Sequence, residues 1–246
     1  MSDSDVQLSF VEHLGELRRR LISVFVVLIA GSAGCYFFID HIVDRLLAPA
    51  SGAEFIYLAP PELFLAYVRL SITLGVVITL PFTLLQIWLF VRPALSRAEK
   101  TATGFVLIAG TAFFATGAYF AYAVILPITL QFFVGYATRT IEPLFSFGSY
   151  VGFVISILLA FGIAFELPVV IVMLSRIGLV SPVALRRARA YVFLGLAVAS
   201  ALLTPPDVVS QLLLIGPMMA LYELSIVLAR VFAARRQRDL ERTLQA

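Results

Sequence analysis

Glu166 is the single charged side chain in an apolar run from Tyr150 to Ser175. A carboxylate at that depth in a bilayer costs at least about 2.5–3.5 kcal/mol unless it faces protein or water, or takes up a proton. Such a group either packs as a hydrogen-bonded carboxyl, relays protons, or offers a polar landing site to another helix. Gln211, one turn past Asp207, is the natural polar companion in a neighbouring helix. Glu16 and Glu99 pose a different question, because both stand among basic residues: Arg18-Arg19-Arg20 follow the first, and Arg97 and Lys100 flank the second. Carboxylates so placed either offset repulsion within the protein, the usual outcome at a surface, or capture a cationic ligand, since a carboxylate accepts two parallel N–H bonds from a guanidinium.

Other chemistries fail on residue supply. Lys100 is the lone lysine and lacks the glycine-rich approach of a phosphate loop. His13 and His41 stand in no HExxH setting, and no G-x-S-x-G occurs. The single cysteine, Cys35, cannot form an internal disulfide or a CxxC metal or redox site. The residues therefore call for no cofactor, no metal and no enzymatic step. Gly148 and Gly152 form a GxxxG, a weak packing signal when it stands alone.

The elements that position these residues are membrane helices. Of 246 residues, 61% are hydrophobic and 13% charged, against about 45–50% and about 25% in soluble domains. The charges are bunched, and the stretches between them reach the ~20 residues that cross ~30 Å of hydrocarbon. Ser9 and Glu12 have the spacing of a capping box. Phe10, Val11, Leu14, Leu17 and Leu21 recur at helical spacing, so residues 9–20 read as an interfacial amphipathic helix running into the first span. That span, 21–39, is longer than the core of a signal peptide and has no convincing cleavage signal behind it, so it reads as retained.

The expected class is all-α, a single polytopic membrane domain over 1–246. Six spans are expected at about 21–39, 70–91, 101–126, 150–175, 190–203 and 208–229, with a basic tail from 230. Pro81 is expected to kink the second span and Pro127 to mark the exit of the third. The fifth and sixth apolar runs, 190–203 and 208–222, cover only about 21–23 Å at 1.5 Å per residue. They should thin the bilayer or recruit Arg189 and Glu223 by snorkelling. Fifteen arginines and lysines fall on the side of the termini and three on the other, which orients both ends toward the cytoplasm. The pI near 9.2 follows from this rim of arginines rather than from a nucleic-acid-binding stripe.

Four stretches carry a resemblance. They are His13-Leu14-Gly15-Glu16-Leu17-Arg18-Arg19-Arg20-Leu21, Phe90-Val91-Arg92-Pro93-Ala94-Leu95 with Glu99, Phe161 to Val169 around Glu166-Leu167-Pro168, and Leu203-Thr204-Pro205-Pro206-Asp207 with Gln211. In these, and over nearly its full length, the chain resembles the TatC family, the receptor subunits of the twin-arginine protein translocase. The resemblance implies a receptor in the bacterial cytoplasmic (inner) membrane. It would bind twin-arginine signal peptides and work in a multimeric complex with TatA- and TatB-type single-span subunits to export folded proteins on the proton motive force. By that likeness Glu16 and Glu99 would bind the paired arginines, with Arg18 and Phe90 shaping the same patch. Glu166 would be the membrane-embedded polar group, Thr204 and Gln211 would meet the partner helix, and Pro49 and Asp207 would set the far-side cap and turn. Thr101 and Ala190 depart from residues that relatives often carry, away from the proposed arginine site. The rival expectation is a proton-coupled small-solute secondary transporter that relays protons through Glu166.

Overall fold

The computed structural model describes residues 10–50, 54–91, 97–135, 143–177, 179–203 and 208–245. Within these, side chains are described except at 10–13, 91, 97–106, 176–177, 203, 209–210 and 232–245. Ser9, Arg139, Glu142, Thr204 and Asp207 lie outside the described residues, as do the side chains of Glu12 and Glu99. The chain divides into two compact units, Met1–Ile42 with Tyr67–Ile108, and Val43–Ala66 with Ala109–Ala246.

The described residues are almost wholly helical. In chain order they form α1 (Phe10–Phe37), α2 (Ile39–Leu47), β1 (Glu54–Ile56), α3 (Glu62–Val91), α4 (Arg97–Phe120), α5 (Leu126–Val134), β2 (Leu144–Ser146), α6 (Phe147–Phe165), α7 (Leu167–Ile177), α8 (Pro182–Leu203) and α9 (Val208–Gln245). Among the described residues, five helical stretches are long and apolar enough to cross a bilayer: Leu14–Phe37, Glu62–Phe90, Leu107–Val134, Phe147–Ser175 and Gln211–Val231. Large apolar side chains such as Phe25, Ile29, Ile78, Ile108 and Ile163 are exposed along them, which hydrocarbon accepts and water would not. The chain is a multi-pass membrane protein.

Three features differ from the pattern legible in the residues. The third apolar helix does not stop at Pro127. A π-helical turn at Ala121–Ile125 carries the chain from α4 into α5, which runs on to Val134. Proline lacks the N–H that an α-helix would aim at the carbonyl four residues back, and a wider turn absorbs that mismatch. The fifth and sixth apolar runs are short, yet the helices that carry them are long. The expected span at 190–203 is the second part of α8, whose first part bears Arg186, Arg187 and Arg189, and α9 continues through the basic tail to Gln245. Arginine is a good helix former and its aliphatic stem extends toward the interface, so neither helix needs to end where its apolar stretch does. Arg189 of α8 reaches Glu223 of α9 at 2.5 Å, the two residues expected to extend these runs.

The third feature is a two-stranded parallel pairing in the second unit, with Glu54 opposite Leu144, Phe55 opposite Phe145 and Ile56 opposite Ser146. The Phe55 ring stands edge-on to Tyr150, centroids 4.9 Å apart. Beside it the tyrosine hydroxyls close the end of α2. Tyr122 donates to the Arg45 carbonyl at 2.5 Å and Tyr150 to that of Leu46 at 2.7 Å, two of the carbonyls that a helix C-terminus leaves unpaired. Pro49 occupies the 3₁₀ turn Ala48–Ala50 that follows.

Glu62, the first residue of α3, gathers four donors. Its Oε2 accepts the Leu58 and Ala59 amides at 2.6 and 3.3 Å, and its Oε1 accepts the Ser146 hydroxyl at 2.5 Å and the Gly148 amide at 2.9 Å. The carboxylate thus serves the N-termini of two helices, α3 and α6, where backbone N–H groups lack partners and negative charge is favoured. A Cβ on Gly148 would lie 2.8 Å from Glu62 Cγ, so the first glycine of the GxxxG makes room for this carboxylate. Glu62→Ala is expected to lower the thermal unfolding midpoint in detergent. Glu62→Gln should fall between it and wild type, because one amide oxygen can serve only one of the two donor pairs. Unchanged unfolding of Glu62→Ala would show the contact to be dispensable.

Among the described residues of the second unit, two patches of buried side chains tie the later helices together. Ala121, Ile125, Ile157, Phe161, Ala164, Leu214 and Met218 join the π turn to α6 and α9. Ile171, Leu185, Tyr222, Ile226 and Ala229 join α7, α8 and α9. Tyr222 adds a polar pin there, donating from its hydroxyl to the Leu185 carbonyl at 2.8 Å.

Candidate functional site

Glu16 lies in the first turns of α1 and is held by Arg20, one turn later. Arg20 Nε donates to Glu16 Oε1 at 2.9 Å and its Nη2 donates to the same oxygen. The remaining terminal nitrogen, Nη1, donates to Oε1 of Gln86 on α3 at 3.0 Å. Both bonds from Arg20 therefore fall on one carboxylate oxygen, and among the described residues none reaches Glu16 Oε2. Only about a quarter of either side chain is exposed, 24% for Glu16 and 23% for Arg20. Gly15, Glu16, Arg19, Arg20, Ser23 and Gln86 line a recess of about 650 Å³ in the first unit. Glu16, Ser23 and Gln86 supply its acceptors and Arg19 sets a positive charge on its rim.

Local sequence explains this geometry. Spacing of four places Glu16 and Arg20 on one helix face, with the acidic residue toward the N-terminus, the favourable order. On α3, Gln86 and Phe90 are also four apart and share a face, so Phe90, half-buried, stands one turn from the residue that holds Arg20. Within the unit, α1 and α3 approach closely elsewhere too. A Cβ on Gly75 would lie 2.7 Å from the Ser32 Cα, and one on Gly31 2.8 Å from the Thr79 methyl.

The other sequence candidates fall as follows. Arg18 is exposed and does not line the recess. Two residues from Glu16, it is turned about 200° around the helix. Glu99 is in the first turn of α4. Glu166 is the joint between α6 and α7. Pro168 lacks the N–H that would bond the Ala164 carbonyl, so the helix breaks there, and the Glu166 amide turns back to Ile163 O at 3.0 Å. The half-buried Glu166 carboxylate lies beside Gly110 of α4, where a Cβ would stand 3.0 Å from Oε2. Among the described residues no hydrogen-bond donor reaches it. Gln211 is not its companion: Gln211 Nε2 donates to the Ala197 carbonyl of α8 at 2.7 Å and ties α9 to α8. The expected pairing fails because the amide finds a nearer acceptor across the α8–α9 hairpin. Among the described residues no group of three or more His, Cys, Asp and Glu side chains could hold a metal ion.

Two contributors escaped the reading of the residues. Gln86 sits in an apolar run as one uncharged polar residue, and its role is visible only once α1 lies beside it. Glu62 is one of several charges between residues 40 and 66, with nothing local to distinguish it.

Comparison with known proteins agrees with the fold. The family described as Sec-independent protein translocase protein (TatC) matches residues 12–217. A Sec-independent protein translocase protein TatC of Desulforapulum autotrophicum is 39% identical over 98% of this chain and 91% of its own length. The protein of the same name from Aquifex aeolicus is 34% identical over 94% of this chain and 98% of its own. A crystal structure of a twin arginine translocase receptor, TatC, in DDM superposes with a TM-score of 0.79 at 35% identity, over 89% of this chain and 99% of that one. None of these relatives favours the small-solute transporter reading, and with it the proton-relay role for Glu166 loses its support. Shared sequence over nearly the whole length and the same helical fold lead to one conclusion: the chain belongs to the TatC family of Sec-independent protein translocase proteins.

Proposed function

We propose that this chain is the receptor subunit of a twin-arginine translocase and a binding protein rather than an enzyme. It sits in the bacterial cytoplasmic (inner) membrane as one membrane domain, crossed six times with α8 carrying the fifth crossing, and both termini face the cytoplasm. Its ligand is the paired-arginine motif of a signal peptide on a folded precursor. The observation that carries this reading is the Glu16 carboxylate, one oxygen of which has no partner among the described residues, at a polar recess. A guanidinium donates to a carboxylate through two or more N–H groups and is weakly hydrated, so it gives up water for this contact at lower cost than an ammonium does. Glu99 supplies the second carboxylate, Phe90 borders the patch, Arg18 adds positive charge on the other face of α1, and the receptor acts as a multimer.

TatA- and TatB-type single-span subunits are the partners, docking where Thr204 and Gln211 stand, with Glu166 as the embedded polar group and Pro49 and Asp207 shaping the far-side cap and turn. The proton motive force drives the export step. The test is export of a folded reporter in cells that lack their own receptor. Expression of this chain should restore export of a reporter with a twin-arginine signal and not of one with twin lysines. Export of both alike would sink the reading, as would substrate-driven proton uptake by this chain alone in liposomes.

A further inference from the structure

Arg20 is a guanidinium already bound to the carboxylate that is to receive another, and this raises a question of competition. Unconstrained, an arginine beside a glutamate takes both carboxylate oxygens in two parallel bonds, the strongest arrangement available to the pair. Here it does not. Nε and Nη2 share Oε1 of Glu16, while Nη1 is drawn to Gln86 Oε1, 3.0 Å away on α3. A guanidinium is rigid and planar, so fixing Nη1 sets the orientation of the other two donors.

We infer that Gln86 is a positioning residue for peptide recognition: by holding Arg20 through Nη1 it keeps the internal guanidinium off Glu16 Oε2, and so leaves that oxygen to the arginine of the incoming signal peptide. Gln86 suits the task because its amide oxygen accepts from Arg20 without adding a charge to the recess. It sits within an apolar stretch of α3 with Leu84, Leu85 and Ile87 around it, where an unneeded polar side chain is disfavoured. The recess that Gln86 lines also contains Arg19 and Arg20, so Glu16 is the one anionic group among its described lining residues. If Arg20 took both oxygens, Glu16 would have no free acceptor to offer a second guanidinium.

The inference rests on the receptor reading, and its test separates the two. A labelled twin-arginine signal peptide is titrated against the full chain in lipid nanodiscs, and thermal unfolding is recorded for every variant. Gln86→Ala should bind about tenfold more weakly, because Arg20 is then free to close on both oxygens. Adding Arg20→Gln removes the internal competitor, and the double variant should return to within about threefold of wild type. Gln86 serving only as packing predicts no such rescue. The role of Gln86 is overturned if Gln86→Ala binds like wild type, or if the double variant stays as weak as Gln86→Ala while both remain folded. Should Gln86→Ala fail to fold, binding by Arg20→Gln alone decides: retention within threefold supports the competition, and a tenfold loss overturns it. Absence of any Glu16-dependent binding by wild type would instead bring down the receptor site itself.

Discussion

Replacing Glu16 and Glu99 together by alanine is expected to reduce photo-crosslinking of a twin-arginine signal peptide at least about a hundredfold and to abolish export of its cargo. A hydrogen bond to a charged group contributes about 1.5–3 kcal/mol, and each 1.4 kcal/mol is about tenfold in affinity. Each single variant should therefore lose about tenfold or more, and the two losses compound because the carboxylates stand on different helices, α1 and α4. Glu16→Ala has a second consequence. Arg20 keeps its bond to Gln86 but loses its counter-charge, leaving Arg19 and Arg20 to repel the incoming cation. Glu16→Gln should fall between, since its amide oxygen still accepts a bond yet offers no charge. Raising ionic strength should weaken wild-type binding in the same direction, because the site is at the aqueous boundary and screened there. Unchanged crosslinking and export in the double variant would refute the assignment of both carboxylates.

The largest structural effect is expected at Gly117 of α4. A Cβ there would stand 2.5 Å from the carbonyl oxygen of Phe161 and 2.7 and 2.8 Å from Cγ and Cβ of Phe165. The contact is reciprocal along the same helix pair, since a Cβ on Gly162 of α6 would lie 2.7 Å from two ring atoms of Phe114. Membrane helices gain little from hydrophobic burial against one another, so close approach over small residues supplies much of their packing. A rotated ring can yield, but a backbone oxygen moves only with its helix. Gly117→Val is accordingly expected to destabilise the protein by about 3 kcal/mol, the upper end for overpacking, seen as a lower unfolding temperature in detergent and less protein recovered from membranes. Gly195→Ala is the control. Nothing lies within 4 Å of a Cβ there, so alanine should be neutral or stabilising by up to about 1 kcal/mol, its advantage over glycine in a helix. Equal behaviour of the two variants would show that the α4–α6 approach is looser than described. A selective loss at Gly117 would also displace the Glu166 joint, which follows Phe165 directly on α6.

Residue order alone determined the all-α membrane class and the family. Hydrophobic length and charge spacing are local quantities, and the bilayer imposes them on each helix separately. The Glu16–Arg20 pair and the joint at Glu166 also have local causes, a spacing of four that puts both residues on one face and Pro168 two residues away, though neither was among the expectations drawn from the residues. Pro127 misled because proline forbids one hydrogen bond rather than a helix, and a π turn at Ala121–Ile125 supplies the alternative.

What only the tertiary structure decided concerns partners distant in the chain. Gln86 meets Arg20 across 66 residues, Glu62 meets Ser146 across 84, and Gln211 turns to Ala197 rather than to Glu166. The pairing of Glu54–Ile56 with Leu144–Ser146 belongs with these, because three-residue strands are too short to show a period. In each case a polar group buried or half-buried must find a partner, and chemistry narrows that partner to a type without naming the residue. Which one it meets depends on how the helices pack, and that depends on glycines such as Gly75 and Gly117, whose importance lies in the atoms opposite them. The acidic residue at the head of the first helix was legible from its spacing. That one of its oxygens is tied down and the other left open was a matter of where α3 comes to rest.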